Sequence, residues 1–173
     1  MSTLEIFNAL KAALAAIPLD AETDPEGAKL FESVELAANR NLGKQLSELL
    51  VQKNRACLIV PLNIRRTITD QSGGLSVMGE KYAEVALIYS DKAYFKASQA
   101  VTFGGANNLG LFVFDEMIEA ALTGKAISPF GGIVPGDSDP LTLSDSEQKD
   151  TAGRAAWLMT IFVPVGLITV AVA

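Results

Sequence analysis

Ala56-Cys-Leu-Ile-Val-Pro-Leu-Asn63 and Lys81-Tyr-Ala-Glu-Val-Ala-Leu-Ile-Tyr-Ser90 are the two runs that decide the fold. In the first, Cys57, Leu58, Ile59, Val60 and Leu62 are almost uninterruptedly apolar, as in a strand covered on both faces, and Pro61 is expected to limit its pairing. In the second, Ala83, Val85, Leu87 and Tyr89 alternate with Tyr82, Glu84, Ala86, Ile88 and Ser90, giving one apolar and one mixed face. Asp70-Gln-Ser-Gly-Gly74 between them is a turn cluster, so the pair reads as a long antiparallel hairpin whose first arm ends in a ragged, basic stretch, Ile64 to Thr69.

Working outward, Ser2 and Glu5 have capping-box spacing, and Leu4, Phe7, Leu10, Leu14 and Ile17 form a helical stripe ending at Pro18. The start lacks the basic region and cleavage site of an export signal. Residues 19 to 27, rich in Asp, Glu and Pro, read as loop, and 29 to 36 as a short strand broken off at Asn39-Arg-Asn-Leu-Gly43. Leu42, Leu46, Leu49 and Leu50 mark a second amphipathic helix. After the hairpin, Asn107-Asn108 can cap a third, with Leu109, Phe112, Val113, Met117, Ile118, Ala121 and Leu122 as its apolar face and Gly124 as its end. Residues 124 to 150 then read as a long loop arm rich in Gly, Pro and acidic residues.

Residues 155 to 173 carry no charge, long enough for a membrane span. Pro164, Gly166 and many β-branched residues favour two strands instead, 156 to 163 and 167 to 172, broken at Pro164-Val-Gly166. The fold class is therefore α+β: a mainly antiparallel sheet with a long hairpin, flanked by two or three helices, in one domain spanning the chain.

Composition narrows the chemistry. A net charge of −6 argues against a general nucleic-acid binder. One cysteine excludes an intramolecular disulfide, and the apolar setting of Cys57 suggests a buried thiol. The absence of histidine removes the commonest general base and zinc ligand. Gly74-x4-Gly79 has phosphate-loop spacing, but Glu80 stands where the phosphate-binding lysine belongs, so a turn is expected. Asp137, Asp139, Asp145 and Glu147 lack the order of a calcium loop and read as a solvated acidic arm. Asp115, Glu116 and Glu119 read as the wet face of the third helix. Arg65, Arg66, Lys81, Lys92 and Lys96 put positive charge near the hairpin, for an acidic neighbour or for edge-strand protection. No nucleophile and base pair stands out, and no cofactor or metal is implied.

The order of these elements, the helix Ser2 to Ile17, the strands Cys57-Leu-Ile-Val-Pro-Leu62 and Tyr82-Ala-Glu-Val-Ala-Leu-Ile-Tyr89, the helix Asn108 to Leu122 and the terminal strand Trp157-Leu-Met-Thr-Ile-Phe-Val163, resembles the tail terminator proteins of long-tailed phages and prophages. The resemblance lies in layout and hydrophobic texture over most of the chain; the segment 31 to 53 and the Gly/Pro arm depart from it. It implies a non-enzymatic virion subunit, assembled in the host cytoplasm. Such a subunit forms a ring, usually a hexamer, that caps the tail tube, contacts tube and neck or connector proteins, and lets DNA through without specific binding. No catalytic residues carry over. Arg65, Arg66, Gly73, Gly74, Phe130, Gly131 and Gly132, on the hairpin and the arm, are the candidate assembly residues. Another neck or tail component, a tail-anchored membrane protein and a small-molecule enzyme are the alternatives.

Overall fold

The computed structural model describes residues 2–20, 22–38, 41–72, 76–91, 110–141 and 156–171. Helix α1 (Thr3–Ala15) opens with the expected capping box, the Ser2 hydroxyl accepting from the Glu5 N–H at 3.2 Å while the Glu5 carboxylate accepts the Ser2 N–H. Its buried stripe is Ile6, Phe7, Leu10, Ala13 and Leu14, and Leu4 is 63% exposed. Leu4 lies about 120° round the helix from Leu10, so Ile6 takes the place expected for it.

Residues expected to be loop after α1 form instead an exposed hairpin, β1 (Pro18–Asp20) with β2 (Asp24–Lys29), antiparallel. The Asp20 carboxylate holds its turn by accepting from the N–H groups of Glu22 and Thr23 at 3.1 and 2.9 Å and from the Thr23 hydroxyl. Strand β3 (Ser33–Leu36) follows as expected, parallel to the next strand. Asn41 caps the expected second helix, α2 (Leu42–Gln52), accepting from the Lys44 N–H at 2.9 Å, after the strand has ended before the Asn/Gly stretch. Leu46 is its buried anchor. The side chain of Leu50, like residues 39 and 40, lies outside the described residues.

The long hairpin is present and longer than expected. β4 (Arg55–Ser72) pairs antiparallel with β5 (Ser76–Asp91) along its whole length, so residues 64–72 are strand and Gly79 pairs with Ile68 within the ladder. Pro61 does not end the pairing. Arg55 and Ile59 turn their carbonyls toward β3, accepting from Glu32 and Ala37, and by strand alternation the donor that Pro61 lacks faces that outer side, beyond the end of β3. A bulge between Pro61 and Asn63 then carries the strand on.

Helix α3 (Leu111–Leu122) starts behind Gly110 without a side-chain cap and buries Leu111, Phe114, Ile118 and Leu122. Phe112, expected inside, is exposed and meets Trp157 edge-on at 5.8 Å. Asn107, Asn108 and Leu109 lie outside the described residues. The arm after Gly124 is not loop throughout: β6 (Val134–Pro140) pairs antiparallel with β7 (Trp157–Ala171). β7 is one strand where two were expected, because the Pro164 to Gly166 step is absorbed as a bulge opposite Lys81 and Tyr82.

The class is α+β, with a sheet ordered β3-β4-β5-β7-β6, mostly antiparallel. Its inner half is covered on both faces. α1 and α3 pack over Cys57, Ile59, Val85, Leu87, Tyr89, Met159 and Ile161, while Leu46 of α2 closes over Ala56, Leu58, Ile88 and Ala156. Phe31, Tyr89 and Phe114 form an aromatic knot with centroids 5.8 to 6.1 Å apart. Among the described residues, no helix is long and apolar enough to cross a membrane.

Candidate assembly surface

From the start of α1 outward the sheet continues as a three-stranded ribbon: β4 from Asn63, β5 up to Glu84 and β7 from Val163. Strand alternation sorts its side chains. Asn63, Arg65 and Thr67 share a face with Glu80, Tyr82, Glu84 and Phe162; Ile64, Arg66 and Ile68 share the other with Lys81, Ala83 and Ile168.

On the first face Arg65 is already engaged. Its Nε and Nη2 donate to the two oxygens of Glu84 at 2.7 and 2.9 Å, and its guanidinium lies 5.3 Å from the Phe162 ring centroid. The hydrogen bonds to Glu84 hold its charge more firmly than usual. The Tyr82 hydroxyl donates to Glu80, which raises its pKa. Arg65, Thr67, Tyr82, Val134 and Phe162 enclose an open groove of about 320 Å³.

On the other face Arg66 is exposed and belongs to a groove of about 430 Å³ between β4 and the start of α1, where Phe7, Leu62, Ile64 and Ala83 supply apolar walls. The adjacent pair Arg65 and Arg66 thus serves opposite faces. Gly73 and Gly74 lie outside the described residues, as do Lys92, Lys96, Asp145 and Glu147.

Phe130, Gly131 and Gly132 form a turn anchored on β7. The Ser128 hydroxyl donates to the Pro164 carbonyl at 2.7 Å and accepts from the Phe130 N–H at 3.2 Å. Gly131 has φ +140, and a Cβ on Gly132 would sit 2.6 Å from the Gly124 oxygen, so the first glycine answers a demand of backbone conformation and the second one of packing. Pro164 pairs with Tyr82 and Tyr82 with Arg65, which puts the turn and Arg65 along one row of the sheet.

Asp137 and Asp139 stand exposed on β6, and the described residues contain no group of three or more potential metal ligands. Asp115 differs from the expected wet face: half-buried, it accepts from the Tyr89 hydroxyl at 3.0 Å. Burial holds the Cys57 thiol far above its ordinary pKa, in its unreactive form. What the sequence reading missed is the apolar content of the ribbon surface, with Leu62, Ile64, Ile68 and Leu167 all exposed. The alternation Ile64-Arg-Arg-Thr-Ile68 is the signal that could have found it.

No protein-family model matches the chain, and no curated protein matches it. Among solved structures, the sheath/tube terminator of an extracellular contractile injection system, solved in its extended state, is similar over 96% of this chain at 9% identity and a TM-score of 0.42. The chain spans 57% of that protein's length. A likeness this remote carries no functional argument.

Proposed function

We propose that this chain is a structural subunit of the tail-terminator kind, which self-associates into a ring that caps a tail tube and joins it to the neck. The observation that carries the reading is the ribbon, a sheet extension that leaves its helices behind and exposes Leu62, Ile64, Ile68 and Leu167. Apolar side chains clustered on projecting strands are what an assembling protein presents to its neighbours. The element order described above supports the same reading, and so does the charge of −6, since a ring that DNA traverses should not retain phosphates. In this reading the protein is no enzyme, needs no cofactor, works in the virion tail and is soluble without detergent. Size-exclusion chromatography with light scattering, alone and with a purified tube protein, tests it. A ring, six-membered for a hexamer, or co-elution with the tube is expected; a monomer in both settings overturns the proposal.

A further inference from the structure

Among the described residues the ribbon has two open edges. On β4 the bulge after Pro61 reverses the alternation, because Asn63, Arg65 and Thr67 pair toward Glu84, Tyr82 and Glu80 of β5. The backbone groups of Ile64, Arg66 and Ile68 therefore face outward, where β3 has already ended. On β7 the carbonyls of Ala156 and Pro164 face outward, accepting from Leu141 and from the Ser128 hydroxyl. After the bulge at Val165 it is Leu167, Thr169 and Ala171 that face outward, past the end of β6. Among the described residues no strand lies against either stretch.

Three features match these edges to each other. Both belong to the outer strands of one antiparallel trio, so β4 and β7 run in the same direction. Each offers three outward residues over a similar length. Each also carries an exposed large apolar side chain, Ile68 at 54% and Leu167 at 60%, and β7 has no charge along its length to discourage a neighbouring strand.

Resting on the ring reading, we propose that the occupant of the β4 edge is a second copy of this chain, whose β7 edge adds to it as a parallel strand. The sheet then runs on from subunit to subunit. Ile168 of one copy lines up with Ile68 of the next on one face, and Leu167 with Thr67 on the other. The contact is head-to-tail, so repetition closes into a ring wherever the rotation between copies permits. Backbone bonding supplies affinity and the alternating apolar side chains set the register.

The test uses Thr67→Cys and Leu167→Cys, both at exposed positions, with a short bismaleimide; the native Cys57 is buried and does not compete. An equimolar mixture of the two single variants is expected to give cross-linked dimers, and either single variant alone to give none; the two cysteines are kept on separate copies because Thr67 and Leu167 of one subunit flank Glu80 and could be bridged within it. Cross-linked dimers from Thr67→Cys alone mean that β4 pairs with β4 and overturn the proposal. An uncross-linked mixture that light scattering finds oligomeric overturns the strand pairing and leaves the ring reading standing; one that is monomeric overturns both. As a second arm, Arg66→Pro removes an outward-facing N–H without breaking a bond to β5, and is expected to raise the half-assembly concentration about tenfold over Arg66→Ala. Equal assembly by the two variants contradicts the strand pairing.

Discussion

Glu5 and Cys57 show how far single side chains are committed to the fold. The Ser2 N–H and hydroxyl hydrogen bonds to Glu5 lower its pKa below the ordinary 4.5. A carboxylate whose pKa is depressed on folding contributes stability that is present above its unfolded value and lost as pH falls through the folded one. Glu5→Gln is therefore expected to lower stability at pH 7 and to lose less of it on acidification than the parent, measured by urea unfolding at pH 7 and pH 3. A parallel loss in both proteins would show the capping carboxylate to be idle. Ser2→Ala, which removes the hydroxyl cap, should cost about 1 kcal/mol in the same assay. Cys57, fully enclosed and held protonated, should resist a thiol reagent in the native protein and react once denatured. Fast native labelling would mean that the sheet between α1 and β5 opens locally. These residues were legible in the sequence because their signals are local: a four-residue capping spacing, and a cysteine within an apolar run.

Elements were legible where hydrophobic period dominates and illegible where pairing does. β4, β5 and α2 follow directly from their patterns, whereas β1, β2 and β6 are polar or Pro-rich strands that exist because a partner strand completes their hydrogen bonds. The same cause joined the two strands expected at the C-terminal end into one, since Tyr82 and Lys81 bracket the bulge that Pro164 and Gly166 require. Packing of α3 against the aromatic knot, and not the width of its apolar face, turned Phe114 inward and Phe112 outward. β7 carries the clearest energetic consequence. Ile161 is fully buried between Val85 and β6, so Ile161→Asp strands a charge in the core and should destabilise by about 4 kcal/mol or more. A soluble variant with an unchanged thermal transition would contradict the placement of β7 in the sheet. For the candidate site, the sequence pointed to the hairpin arm and its arginines, but the open edges depend on where β3 and β6 stop, which is a property of pairing length that no local pattern records.

At the scale of the molecule the sheet is divided into an inner half that helices cover on both faces and an outer ribbon that is uncovered among the described residues, so an association through the ribbon would draw on parts of the strands that packing of the helices leaves unused. An association that uses the ribbon is thermodynamically linked to folding, because only the folded subunit presents two aligned edges. If copies close through β4 and β7, each subunit gains both of its neighbours, and raising the concentration tenfold adds about 1.1 kcal/mol per subunit to the stability of the folded state in a six-membered ring. For a chain of this size that corresponds to a rise in Tm of about 2 to 4 °C per tenfold increase in concentration. Differential scanning calorimetry over two decades of concentration should show that rise in the parent protein and in Arg66→Ala. A much flatter dependence is expected for Arg66→Pro, whose inner half keeps all its packing. A Tm independent of concentration in the parent would mean that the ribbon holds no copies together. The same rise in Arg66→Pro would mean that they are held elsewhere on the molecule.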